Sequence, residues 1–359
     1  MRLLILGTGV SGRAAARLAT RHGHSVTLFD EHHPDPGGLL DMGVGLVSGA
    51  WDSGLLDGVD VVVASPGFSE RSLPVVETLE SGVPIWSEIE YAWRFWKDAA
   101  LVAITGTNGK TTVTELTTRM LSMSGVSAIP AGNIGTALSD VVEEPAQVVV
   151  VEVSSFQLRF IDRFHAPAAA LLNIAPDHLD WHGSVDSYAA AKARIFENQV
   201  AGDLLVFDAD DPGASRAVRS APSTLHPVSA RSHPGGGSGV SGEDLEVGPL
   251  RIPLAELGSS DAVHVVDMTA AAVLALDQGA NPEAVGRVMR EFVPGSHRRQ
   301  VIGTVAGVVY VDDSKATNPH AALAAIAAYP SVVLIAGGLA KGLDLRPLAE
   351  APNVRAVLA

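Results

Sequence analysis

The stretch 103–112, AITGTNGKTT, places a lysine and two threonines directly after a glycine-rich turn. Gly106, Asn108 and Gly109 let backbone N–H groups point into a concave anion site. Lys110 supplies a cation for β- and γ-phosphates, and Thr111 a hydroxyl for Mg²⁺. The widespread phosphate loop, G-x-x-x-x-G-K-[ST], needs its first glycine at position 104, where this chain has Ile104. The nearest glycine is Gly106, so the residues describe a nucleotide loop with a shorter glycine spacing. Glu152 ends the apolar run VVVVE, and a carboxylate at the end of a buried parallel strand beside such a loop suits Mg²⁺. The segment PDHLDWH crowds Asp177, His178, Asp180 and His182 into one polar loop, and residue types alone leave the choice among them open. Lys192 in YAAAKARIFEN, taken alone, is a solvated helix lysine, and Asn133 in AGNIG a turn residue. In DDSKATNP, Asp312 and Asp313 follow an apolar run and precede Lys315 and Thr317, a mixture suited to an anionic, phosphate-bearing substrate. Lys341 in GGLAKG follows another strand of the same segment, so both lysines can share one sheet edge.

A second glycine motif opens the chain. GTGVSG, residues 7–12, sits between the apolar run RLLILG and the helical RAAARLATRHG. Gly7 permits a tight turn, Gly9 close backbone approach and Gly12 helix–strand packing, and the helix N-terminus then receives a diphosphate. Asp30 ends the second strand, 18 residues after Gly12, where it can accept from a ribose hydroxyl. The motif specifies a nucleotide or dinucleotide without saying which.

These loops need elements to carry them. Continuous apolar runs (RLLILG, VDVVVASPG, LVAITG, AQVVVVEVSSFQL) read as parallel strands buried on both faces, each followed by a glycine turn or a helix. The fold class is therefore α/β. Strand–glycine loop–helix recurs at residues 3 and 101, and the pattern divides into residues 1–98, 99–296 and 297–359. Residues 229–243, SARSHPGGGSGVSGE, have the composition of a flexible surface loop. SVVLIAGGLA reads as a buried strand and turn. Only 62 residues follow from Arg298 onward, below the ~100–150 residues of a common domain, so the third domain is expected to be incomplete.

Composition narrows the classes. With 359 residues, 47% of them hydrophobic, the chain has the makings of two or three globular domains. A net charge of −15 argues against a nucleic-acid backbone as partner. No cysteine is present, which removes disulfides, thiolate metal sites and cysteine nucleophiles and fits the cytoplasm. No signal peptide is visible, and no uncharged apolar run reaches the ~18 residues of a membrane-spanning helix.

Taken together, TGTNGKTT, AGNIG, NIAPDHLDWH, AAKARIF, HRRQ and DDSKATNP, in that order, resemble the Mur ligase family of ATP-dependent amide-bond ligases. The GxGxSG module followed by ASPG, and the strand VEVSSFQL, are similar to the branch that adds D-glutamate to UDP-N-acetylmuramoyl-L-alanine. The resemblance covers essentially the whole chain. It implies three domains: a Rossmann-like N-terminal domain holding the UDP-sugar, a central P-loop-type ATPase domain with a parallel sheet, and a C-terminal Rossmann-like α/β domain. It implies a UDP site at Val10, Ser11, Asp30 and the turn Ser65, Pro66, Gly67. It implies an ATP site at Gly106, Thr107, Asn108, Gly109, Lys110, Thr111 and Thr112, completed by Arg298 and Asp313. One Mg²⁺ falls to Thr111 and Glu152, and a second to His178 and a carbamylated Lys192. Asn133 and His182 are implied at the muramoyl substrate, and Lys315, Thr317 and Lys341 near the phosphate and the incoming glutamate. The catalytic group is then Lys110, His178, Lys192, Asp313 and Lys315, in a monomeric, cytoplasmic enzyme. Two departures stand out. The family's HNxxN, whose asparagines meet adenine, is HVVDM at residues 264–268, and a late serine-containing loop that helps read glutamate has no counterpart. Weaker alternatives are a folylpolyglutamate-type ligase, which leaves GTGVSG unexplained, a dehydrogenase, which lacks a hydride-transfer site, and a non-catalytic UDP-sugar-binding fragment.

Overall fold

The computed structural model describes residues 1–32, 34 and 36–359. Its first body is a five-stranded parallel sheet of β1 (Arg2–Leu6), β2 (Ser25–Asp30), β3 (Gly45–Ser48), β4 (Val61–Ala64) and β5 (Ile85–Ser87), in the order β3-β2-β1-β4-β5. The order reverses between β1 and β4, and the loops after these two strands, GTGVSG and SPG, meet there, as expected at the switch point of a Rossmann-like sheet. The glycines act as their spacing implies. Gly7 has φ +99°, and a side chain on Gly12 would run into the Gly7 carbonyl. The alanine-rich helix Val10–Arg21 can therefore lie directly on the strand end, and Gly23, at φ +70°, closes it.

The central body is a nine-stranded sheet. Its strands are β6 (Ala100–Thr105), β7 (Ala128–Gly132), β8 (Val148–Glu152), β9 (Ala168–Leu171), β10 (Leu204–Asp208), β11 (Thr224–Ser229), β12 (Ser238–Ser241), β13 (Asp244–Val247) and β14 (Leu250–Pro253). From β7 through β8, β6, β9, β10 and β11 to β12 the pairing is parallel, whereas β13 and β14 add an antiparallel edge that apolar periodicity did not announce. VVVVE is buried along its whole length. The helix Ala262–Asp277 is buried continuously from His264 to Ala275, a helix apolar all round that lies between other elements.

The loop expected at 229–243 is shorter: residues 230–237 form a mostly exposed connection, and β11 and β12 take up Ser229 and Ser238–Ser241. Ser229 and Ser238 are each 1% exposed. The Ser229 Oγ donates to Asp210 Oδ1 (2.8 Å) and accepts from the amides of Arg231 (3.0 Å) and Ser232 (3.1 Å). Gly237 and Gly239 have backbone where a side chain would stand. Small residues here serve close strand packing rather than mobility.

The third body holds the antiparallel hairpin β15 (Gln300–Val305) and β16 (Val308–Asp312), the helix Pro319–Ala327, and a parallel pair β17 (Val332–Ile335) and β18 (Val354–Leu358). The buried strand expected in SVVLIAGGLA is a strand with alternate residues exposed, and Ile335 is 76% exposed. The first two bodies share one apolar core, in which Ala15, Leu18 and Ile89 join Leu138 and Val141. Around it, Arg17 forks onto Asp140 (2.8–3.0 Å), Arg21 and His22 both reach Glu143, and Glu88 Oε1 accepts from the Ser139 amide (2.6 Å).

Candidate active site

The glycine loop after β6 is fastened by the polar loop after β9. Asn173 Oδ1 accepts from the Asn108 amide (2.8 Å), and its Nδ2 donates to the Asn108 carbonyl (3.2 Å). Thr107 Oγ1 donates to the Ala175 carbonyl (3.2 Å) and accepts from the Ala175 amide (3.0 Å) and the Tyr188 hydroxyl (3.1 Å). Gly109 opens the helix Lys110–Met123 at φ +85°, and a Cβ on it would strike the Asp267 carboxylate. Gly106 is equally confined, by the Asn108 carbonyl and Leu172 at 3.0 Å. The loop therefore exposes its amides without side chains in front of them, as anion binding requires.

Two lysines converge on this loop. Lys110 Nζ donates to the carbonyls of Gly106 and Thr107, both at 3.0 Å. Lys192 Nζ donates to the Gly106 carbonyl at 2.7 Å and lies 4.7 Å from the Tyr188 ring centre. Lys192 is 1% exposed, so the solvated lysine suggested by its helix context is corrected: the helix Val185–Ala193 turns that face inward under the loop. Burial, helped by the charge of Lys110 and opposed by Asp177 and Glu152, drives the Lys192 pKa well below the usual ammonium value. Burial also lowers Lys110, against the pull of Glu152 and Asp177.

Hard oxygens stand beside the lysines. Thr111 Oγ1 donates to Glu152 Oε2 (2.7 Å), and Asn133 Nδ2 donates to Glu152 Oε1 (2.8 Å). Glu152 is 2% exposed at the end of its strand. Asn133 itself is exposed, on a turn after β7. His178 has a left-handed backbone (φ 51°), its ring edge-on to Phe156 at 4.8 Å and its Nε2 3.7 Å from Asp177 Oδ2. Burial lowers its pKa, with Asp177 opposing and Lys192 among the charges that add to the fall, so the ring is neutral near pH 7 and has a lone pair to offer. Among the described residues no group of three or more His, Asp or Glu side chains is gathered for a metal. Mg²⁺ needs few protein ligands, because it keeps several waters and takes others from phosphates. The adjoining Thr111 and Glu152 oxygens fit that requirement.

His182 is placed differently from its neighbour. It is 2% exposed, stacked on Phe156 at 5.6 Å, with Nε2 paired to Ser155 Oγ (2.9 Å), and burial lowers its pKa to about 4. In this arrangement the ring is neutral at pH 7 and packed beneath Phe156. Asp30 is likewise engaged, accepting from Thr8 N (2.9 Å), Thr8 Oγ1 (2.8 Å) and His32 N (3.1 Å). Burial alone would raise its pKa, but these donors hold it below the ordinary value. Val10 is 56% exposed, Ser11 half-buried, and Gly9 has open space above it. Among the described residues the Ser65 Oγ has no hydrogen-bond partner, buried against Gly7 and Gly12, with Pro66 and Gly67 following.

A cavity of about 280 Å³ continues from the glycine loop between the central and third bodies, lined by Asn108, Gly109, Asp267, Arg298, Asp313 and Lys315 among others. Thr112 lines it too, so the helix start, Arg298 and Asp313 face one space. Asp313 Oδ1 accepts from the Arg299 amide (3.0 Å), and burial raises its pKa. Asp267, the residue inside HVVDM, is buried beside the loop, and burial pushes it up to about 7 against the pull of Arg298. Thr317 is exposed near Lys315, and Lys341 (φ 51°) sends its Nζ to 3.9 Å from Asp177 Oδ1. Sequence reasoning missed Asn173, Tyr188 and Asn318. Only the position of Asn173 after a buried strand, inside NIAPDH, could have singled one of them out.

Two family models match the chain: the Mur ligase MurD-like N-terminal domain over residues 1–87, and the Mur ligase middle domain over residues 104–236. Curated relatives are named UDP-N-acetylmuramoylalanine–D-glutamate ligase. That of Frankia casuarinae is 41% identical over 361 aligned positions, covering 95% of this chain and 74% of the relative. That of Mycobacterium tuberculosis is 39% identical, covering 96% and 71%. Among solved structures, MurF from Acinetobacter baumannii superposes with a TM-score of 0.61 at 18% identity, covering 99% of this chain and 84% of its own. A bifunctional folylpolyglutamate synthase/dihydrofolate synthase gives 0.54 at 18% identity, over 75% and 78%. At such identities these two likenesses speak for the fold alone.

Proposed function

Because the chain belongs to the Mur ligase family, we propose that it is an ATP-dependent ligase that joins D-glutamate to UDP-N-acetylmuramoyl-L-alanine in cytoplasmic peptidoglycan precursor synthesis. The observation that carries this reading is the convergence of Lys110, Lys192, Thr111 and Glu152 on one glycine loop, together with relatives of that name that match nearly the whole chain. The limits 1–98, 99–296 and 297–359 mark its UDP-sugar, ATP and amino-acid domains.

The substrate carboxylate attacks the γ-phosphate of ATP, releasing ADP and leaving an acyl phosphate. The deprotonated amine of glutamate then attacks the acyl carbon, and phosphate departs. The protein's part is positioning and charge neutralisation. Amides from Gly106 to Thr112 hold phosphate oxygens, and Lys110 leaves its loop carbonyls for them. Arg298 and Asp313 take the ribose side of the cavity, and Lys315, Thr317 and Lys341 the incoming glutamate. Val10, Ser11, Asp30 and Ser65–Gly67 take the UDP group, with Asn133 and His182 on the muramoyl side. Thr111 and Glu152 would hold one Mg²⁺, and His178 with Lys192 a second. The metal supplies Lewis-acid stabilisation of phosphoryl charge. Lys192 fits this role as a carbamate. A buried neutral amine forms the N–C bond to CO₂ and loses a proton, giving a hard oxygen ligand where an ammonium would repel the metal.

The test is phosphate release from ATP by the chain in the presence of UDP-N-acetylmuramoyl-L-alanine, with D-glutamate, L-glutamate or no amino acid. Release that requires both the UDP-sugar and D-glutamate is the expected result. Release that follows a folate or another amino acid instead would overturn the assignment.

A further inference from the structure

Asn318 lies at the start of the third body's helix Pro319–Ala327 and is 5% exposed. Its side chain is fully engaged on three elements. Oδ1 accepts from the Ala321 amide (2.9 Å), capping the helix, and also receives Asn108 Nδ2 (3.5 Å). Nδ2 donates to Asn108 Oδ1 (3.0 Å) and to Asp177 Oδ2 (3.3 Å). Asn108 belongs to the glycine loop, and Asp177 immediately precedes His178. Two side chains back the contact from the same body: His320 Nδ1 lies 3.2 Å from Asn108 Nδ2, and Lys341 Nζ lies 3.9 Å from Asp177 Oδ1.

We propose that Asn318 is a positioning residue whose amide latches the third body onto the nucleotide loop and the His178 loop at once. The inference rests on the reading of that loop as the ATP seat and adds the link that brings the third body's Asp313 and Lys315 to it. The chemistry selects asparagine. The position needs an acceptor for the helix amide and a donor for the Asp177 carboxylate, on one short side chain. Aspartate supplies the acceptor and is an equally good helix cap, but it has no donor and sets a second negative charge against Asp177. Serine also caps the helix but is one atom shorter and carries no amide.

The Asn318→Asp chain separates a latch from a merely structural cap. Its melting temperature should match the parent, because the cap survives. Small-angle scattering should show a larger radius of gyration, as the third body swings free. Calorimetric affinity for Mg-ATP should fall about tenfold, the order expected for losing a hydrogen bond to a charged group. Affinity for UDP-N-acetylmuramoyl-L-alanine, whose proposed contacts lie in the first two bodies, should not move. Should Asn318→Asp fail to fold, Asn318→Ser serves the same comparison. Scattering and ATP affinity equal to the parent, or a lowered melting temperature with unchanged ATP affinity, would overturn the latch. A parent chain that binds no ATP would instead sink the functional reading, and the scattering comparison would still decide the latch.

Discussion

Lys192 shows what a residue's surroundings do to its chemistry. Its neighbours along the chain are alanines of an ordinary helix, and nothing in YAAAKARIFEN announces burial. The fold removes it from water, sets it 2.7 Å from the Gly106 carbonyl and leaves Lys110 as a competing cation, so its pKa falls well below the usual ammonium value. Only likeness to a family suggested a role for it. Glu152 is the opposite case, because a carboxylate ending VVVVE can be read from hydropathy alone. Asp30 and His182 have residue types that fit a ligand, and the fold adds what the sequence does not show, that they already hydrogen-bond to Thr8 and Ser155. In solution, ¹³C-bicarbonate should give a carbamate signal in the parent that disappears in Lys192→Arg. Turnover of that variant should drop at least about 100-fold, as for loss of a metal-site ligand. An Arg variant with parental turnover would remove Lys192 from the mechanism.

At the scale of elements, the two strand–glycine loop–helix units are legible because a glycine turn leaves a local mark. A side chain on Gly12 would strike the Gly7 carbonyl and one on Gly109 the Asp267 carboxylate, while Gly7 takes a left-handed backbone tight against the Ser65 side chain, which explains their spacing. The antiparallel edge β13–β14 and the strand ends at Ser229 and Ser238 were hidden, since their determinants are partners elsewhere along the chain, such as Asp210 for Ser229. Gly109→Ala tests the loop as an element. The left-handed backbone and the Asp267 carboxylate both oppose a methyl group there, at a cost of about 1–3 kcal/mol. The variant should melt lower and lose Mg-ATP binding while keeping the UDP-sugar. Retention of parental ATP affinity would mean that the loop amides are not the phosphate seat.

Across the whole molecule, the first two bodies are joined through a shared core and through one buried carboxyl. Glu88 Oε1 accepts from Ser139 N, and the Ser139 side chain is buried beside the same carboxyl. Burial raises Glu88 from 4.5 to about 7, with the nearby Asp140 charge adding and the Ser139 hydrogen bonds opposing. The raised folded-state value means that its contribution to stability is fully present below pH ~4.5 and is lost as pH rises through about 7. The loss is on the order of 3 kcal/mol. Glu88→Gln should therefore melt like the parent at pH 5 and higher than it at pH 8. Identical pH dependence in the two proteins would show that this carboxyl does not strain the junction. None of this was legible in GVPIWSEIEYAWRF, because the partner of Glu88 is 51 residues away.

The most direct measurement is calorimetric titration of the chain with UDP-N-acetylmuramoyl-L-alanine and, in parallel, with NADH. GTGVSG alone admits either ligand, and the residues proposed for the UDP group all lie in the first body. Binding of the UDP-sugar with no heat from NADH is the predicted result. Binding of NADH with none from the UDP-sugar would make the first body a true dinucleotide domain and contradict the ligase assignment.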